Sequence, residues 1–170
     1  IAHSGRGITR NAGSNIPWEV MTDIYQYTLD RDSTTRWNAA ACAFRPAMTV
    51  IYLGANDFSS SMAPSYTKFY KDYVRLMGYV KANYGEDHPI LCVSTKAHDY
   101  LFTYVKQVAK TCGLKNVEYL GYFPAQHHNT DEDLGAGWHP NYKGQQKLAF
   151  SIIPYIATIT GWGIQDVPVK

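Results

Sequence analysis

The sequence predicts an α/β fold built on a parallel sheet. Three observations carry this expectation: short apolar, β-branched runs occur three times, an apolar stripe at helical spacing follows each one, and Gly, Pro or a capping side chain sits near the boundaries. Alternation of strand and helix in this order calls for parallel strands joined by right-handed crossovers.

Taken in order, Met48-Thr49-Val50-Ile51-Tyr52-Leu53 reads as a strand buried on both faces and stopped at Gly54. Pro64 then opens a helix with Tyr66, Phe69, Tyr70, Tyr73, Val74, Met77 and Val80 on its apolar side, ended by Gly85. Pro89 to Ser94 is the second strand. Leu101, Tyr104, Val105, Val108, Ala109 and Cys112 form the next helical stripe, stopped by Gly113, and Asn116 to Leu120 is the third strand. A loop from Gly121 to Pro140 leads to Asn141, the expected cap of a last helix carrying Leu148, Ala149, Ile152, Ile153 and Ile156. Pro154 should kink that helix, because it removes a donor and crowds the carbonyl of Phe150, and Gly161 should end it. Ahead of the first strand, Pro17 to about Leu29 reads as a helix and the remainder as irregular.

The chain has 170 residues, of which 45% are hydrophobic and 18% charged, a composition that buries a sizeable core in one domain. A net charge of +2 argues against nucleic acid or an anionic membrane as partner, and no apolar run has the length of a membrane span. The chain begins at Ile1 without Met and is read as an interior start, with any targeting segment upstream. Cys42, Cys92 and Cys112 include no C-x-x-C pair, so no metal site is expected from them. Buried thiols are the preferred reading of Cys92 and Cys112, ahead of a bridge between them.

Two loops carry chemistry. Gly135-Ala136-Gly137-Trp138-His139-Pro140-Asn141 places a histidine on a Gly-rich loop beyond a strand, where an open α/β sheet binds its ligands. A neutral imidazole there can take a proton from a hydroxyl nucleophile and later return it. Leu53-Gly54-Ala55-Asn56-Asp57-Phe58 follows the first strand: the Asn56 amide can donate to an oxyanion, and Gly54 allows a substrate to come close. Asp57 is read as a local cap or turn acceptor. Ser4-Gly5-Arg6-Gly7 can add a backbone N–H, and Trp138 can stack on a sugar or wall the pocket. His127-His128 with Asp131, Glu132 and Asp133 reads as a solvated loop, because adjacent histidines point apart. No activated nucleophile is evident.

Together these pieces resemble the SGNH (GDSL-type) hydrolases, and within them carbohydrate esterase family 2, which deacetylates plant polysaccharides such as xylan. Ile1 to Ile8 looks like the second block of that family, Gly54-Ala55-Asn56-Asp57 like the third and Gly137-Trp138-His139-Pro140 like the fifth; Tyr122 to Gln126 and Thr160-Gly161-Trp162 also fit. The resemblance implies a three-layer, flavodoxin-like fold, an oxyanion hole from Gly5 and Asn56, His139 as catalytic base, a substrate pocket at Gly54 and Trp138, and no metal or organic cofactor. It also implies an upstream Gly-Asp-Ser block with the nucleophile and a central strand. Residues 1–170 are therefore expected to be the C-terminal part of one SGNH domain, completed by an upstream segment or a separate chain, with acetylated carbohydrate as substrate and an extracytoplasmic location. Gly137 stands where the subgroup commonly has Asp; Asp131 or Asp133 is a candidate substitute, as is a backbone carbonyl.

Two classes of function remain. One is a serine esterase that removes acetyl groups from carbohydrate; the other is a non-catalytic relative that binds carbohydrate or serves as a structural subunit, which Gly137 favours. A general lipase or thioesterase is disfavoured by Trp138-His139-Pro140.

Overall fold

Three parallel strands form the sheet, in the order β1 (Thr49–Ile51), β2 (Ile90–Thr95), β3 (Val117–Tyr122). The computed structural model describes residues 4–13, 19–29, 32–59, 62–95, 99–122 and 131–164. β1 and β2 align Thr49 with Ile90, Val50 with Leu91 and Ile51 with Cys92. The helices are α1 (Met21–Ile24), α2 (Tyr66–Tyr84), α3 (Asp99–Thr111) and α4 (Tyr142–Thr160). The chain divides into two compact units, Ile1–Gly121 and Tyr122–Lys170.

In the first unit, α2 begins where the Ser65 hydroxyl accepts the N–H of Lys68 and ends at Gly85, whose φ of 104° suits a residue without a side chain. Its buried face is Phe69, Tyr73, Leu76, Met77 and Val80, set against Ile51, Ile90 and Cys92 of the sheet and Leu101, Val105 and Val108 of α3 in one core. Removing each such side chain from water stabilises the fold by about 1.5–3 kcal/mol. Cys92 is a buried thiol beside the Met77 sulfur at 3.9 Å, and the partly buried Cys112 is also free.

β2 is buried on both faces, as a central parallel strand should be: Ile90, Leu91, Cys92 and Val93 are all inaccessible. β1 departs from that expectation. Ile51 is buried, but Val50 is 39% and Tyr52 44% exposed on the opposite face, and no strand among the described residues pairs with the outer edge of β1.

The helix expected from Pro17 to Leu29 shrinks to α1, a single turn; residues 14–18 lie outside the described residues. Tyr27 bridges Arg36 in antiparallel fashion, and the N–H groups of Thr28 and Trp37 bond the carbonyls of Thr35 and Gln26. That hairpin-like pairing takes the backbone groups that a longer helix would need.

In the second unit, Asn141 caps α4 by accepting the N–H of Gly144, and Gly161 closes it at φ 73°. The helix continues through Pro154, which offers no N–H to Phe150. Of its predicted stripe, Leu148 is buried and Ile152 and Ile156 are half-buried, whereas Ala149 and Ile153 are exposed. Each of the latter sits one position beyond the 148–152–156 line, about 100° further round the helix.

Candidate active site

Of the predicted oxyanion donors, Gly5 and Asn56 both lie in the first unit, and their loops are joined directly. Gly54, at φ 117°, turns the chain out of β1 into the 3-10 helical turn Ala55–Phe58, which carries Asn56 and Asp57. The Asn56 amide donates to the Arg6 carbonyl at 2.8 Å. Gly5 adopts φ 74°, and its carbonyl accepts the N–H of Ala12, while Asn11 accepts the N–H of Gly7, so residues 5–12 close on themselves.

Asp57 is fully buried and is not a local cap. Its carboxylate accepts the N–H of Ile8 at 2.8 Å, of Thr9 at 2.6 Å and of Arg10 at 3.0 Å, and the Thr9 hydroxyl at 2.9 Å. The Arg10 guanidinium bonds the Asp57 carbonyl in return. Burial pushes the carboxyl up from the ordinary Asp value, while these hydrogen bonds pull it down. The loop can lie this close only because residue 7 is glycine: a Cβ there would stand 2.5 Å from Asp57 Oδ2 and 1.9 Å from the Arg10 carbonyl.

The close approach that Gly54 permits within this structure is that of a helix. A Cβ at Gly54 would come within 2.5 Å of Leu101 Cδ1 and 3.4 Å of Phe69 Cζ. Its glycine character thus serves packing on α2 and α3.

His139 lies in the second unit, on the exposed surface, after the 3-10 turn Ala136–Trp138. Its carbonyl accepts the Gly135 N–H at 2.8 Å and its N–H bonds the Ala136 carbonyl at 3.3 Å. Asn141 pins the loop from behind: its amide donates to the carbonyls of Glu132 and Leu134, and its N–H to that of Asp133. Gly137 is left-handed at φ 63°, and a Cβ there would stand 3.5 Å from His139 Cδ2. An acid at this position would therefore lie beside the imidazole. Of the candidate substitutes, Asp131 is exposed, and Asp133 is buried and paired with Lys147 at 2.6 Å. The Trp138 side chain, His127, His128 and residues 123–126 lie outside the described part of the structure, as do residues 1–3. Among the described residues no three His, Cys, Asp or Glu side chains group as metal ligands.

Sequence reasoning missed Arg10, Asn11 and the long reach of Asp57. The available signal was an acid directly after the donor Asn56, on a loop leaving a buried strand.

The sequence pattern of the family described as GDSL-like Lipase/Acylhydrolase matches residues 10–152, and the chain belongs to that family. It is 34% identical over 168 residues to a protein described as cellulase/esterase CelE from Acetivibrio thermocellus, covering 95% of this chain and 20% of that protein. It is 26% identical over 167 residues to the acetylxylan esterase / glucomannan deacetylase of Cellvibrio japonicus, covering 91% of this chain and 44% of that one. The chain thus spans less than half the length of either relative. An acetyl xylan esterase, Est2A, from the rumen bacterium Butyrivibrio proteoclasticus shares the fold with a TM-score of 0.71 at 13% identity, over 94% of this chain and 50% of that chain.

Proposed function

We propose that this chain is part of a serine-type carbohydrate esterase that removes O-acetyl groups from polysaccharide outside the cytoplasm. The observation that carries the reading is the bond from Asn56 to the Arg6 carbonyl, which sets both candidate oxyanion donors on one framework. In the reaction, a serine hydroxyl attacks the acetyl carbonyl and gives its proton to His139. The oxyanion is held by the Gly5 N–H, the Asn56 amide and the N–H of the nucleophile. Collapse breaks the bond to the sugar oxygen, which takes the proton from His139, and water then repeats the sequence on the acyl-serine. No cofactor enters these steps.

The nucleophile is supplied by a segment outside these 170 residues that adds a strand to the outer edge of β1. What supports this is the exposed Val50 and Tyr52 and the apolar groove beside them, lined also by Phe44, Met48 and Tyr84. Gly137 favours a second reading, an inactive relative that binds carbohydrate or has a structural role.

The test is acetate release from acetylated xylan by the full-length protein. Turnover that falls about 10³-fold or more in His139→Ala supports the esterase. Wild-type protein that binds the polymer without releasing acetate supports the second reading and overturns the first.

A further inference from the structure

Asp57 is buried and engaged by four hydrogen-bond donors, yet the acyl-transfer steps do not use it. Four donors converge on its carboxylate, all from Ile8, Thr9 and Arg10, nearly fifty residues earlier in the chain. The ionised form suits this nest, because a carboxylate only accepts and every neighbour donates. The same turn presents Asn56 to the Arg6 carbonyl, so the two loops are tied at two adjacent points. One tie is made by the donor itself. The other holds the loop against it, with Gly7 leaving room for the carboxylate.

We infer that Asp57 is a positioning residue that holds the Gly5–Arg10 loop in the geometry the oxyanion hole needs. The inference rests on the acyl-transfer reading above. Asp57 touches no reacting atom. It acts by keeping the Gly5 N–H and the Asn56 amide aimed at one point, and misplacing either weakens stabilisation of the charge that develops in the transition state.

The test is steady-state acetyl-ester hydrolysis by the full-length protein carrying Asp57→Asn, with thermal unfolding measured in parallel. The Asn side chain keeps the shape but turns an acceptor into a donor facing backbone N–H groups. kcat should fall roughly 10–100-fold with KM within about twofold. In an Asn56→Ala background the same substitution should cost little more, because the two residues serve one device. Thr9→Val removes a single donor and leaves the carboxylate; its kcat should fall roughly 2–10-fold, which keeps the inference testable if Asp57→Asn does not fold. Lower unfolding temperatures with kcat unchanged would reduce Asp57 to a structural acid and overturn the inference alone. A wild-type protein that hydrolyses no ester overturns the acyl-transfer reading, and the inference with it.

Discussion

The Asn56 side-chain amide donates to the main-chain carbonyl of Arg6 at 2.8 Å, tying the turn after β1 to a loop fifty residues earlier. One N–H of the amide is used in this bond, and the proposed oxyanion role falls to the other. Asn56→Ala should therefore have two effects: a loss of about 1 kcal/mol in stability from the unpaired carbonyl, and a fall in kcat of about 10²–10³-fold with little change in KM. Urea unfolding and acetyl-ester kinetics on the full-length protein read the two separately. Equal turnover in the variant removes Asn56 from the oxyanion hole.

Gly54→Ala should destabilise the protein by about 1–3 kcal/mol, since its Cβ would meet Leu101 Cδ1 at 2.5 Å on a backbone already at φ 117°. Shortening Leu101 to Ala opens that space. The double variant should then be less damaged than the sum of the singles, measured by chemical denaturation. Strict additivity would show that backbone strain, and not the clash, sets the cost.

Lys81 is buried on α2, and its ammonium donates to the carbonyls of Glu86, His88 and Lys115 at 2.9, 2.6 and 2.5 Å. Burial lowers its pKa, and the nearby Asp87 charge offsets part of that. Lys81→Met leaves three carbonyls without this donor and should cost on the order of 3 kcal/mol. A change in the unfolding midpoint no larger than that of an exposed lysine variant, such as Lys106→Met, would show that water replaces the ammonium.

His88 is buried, with its Nε2 2.9 Å from the Thr49 hydroxyl and its ring 5.0 Å from that of Tyr84. Burial first, and the Lys81 charge second, hold it below the ordinary histidine value. The unfolded chain takes up this proton near pH ~6.5, the folded chain only at lower pH. The His88 contribution is thus complete above the unfolded value and is lost as pH falls toward the folded one. Thermal unfolding followed between about pH 7.5 and about pH 5.5 should show an acid loss that His88→Gln reduces. An undiminished loss in the variant assigns it to other groups.

Local patterns made much of the fold legible. β2 and β3 follow from apolar β-branched runs, and the ends of α2 and α4 from Ser65, Gly85, Asn141 and Gly161. Each of these signals lies within a turn of the chain, where a cap or a left-handed residue acts on its own neighbours. The stretch before β1 misled for the opposite reason: the pairing of Tyr27 with Arg36 outbid a helical preference that no cap secured. Lys81 stood unnoticed on an apolar stripe, because its three acceptors come from two different loops.

The candidate site divides along the same line. By itself the sequence put forward the chemistry on offer, an imidazole at 139, an amide at 56 and glycines at 5 and 54, and it carries the family's pattern over residues 10–152. Only the tertiary structure showed what lies against Gly54 and Asp57. The space beside Gly54 belongs to Leu101, and the Asp57 carboxylate belongs to the Ile8–Arg10 loop. Contacts between residues nearly fifty positions apart leave no period in the sequence, since they arise only when packing brings the two segments together and removes the water that would otherwise satisfy them.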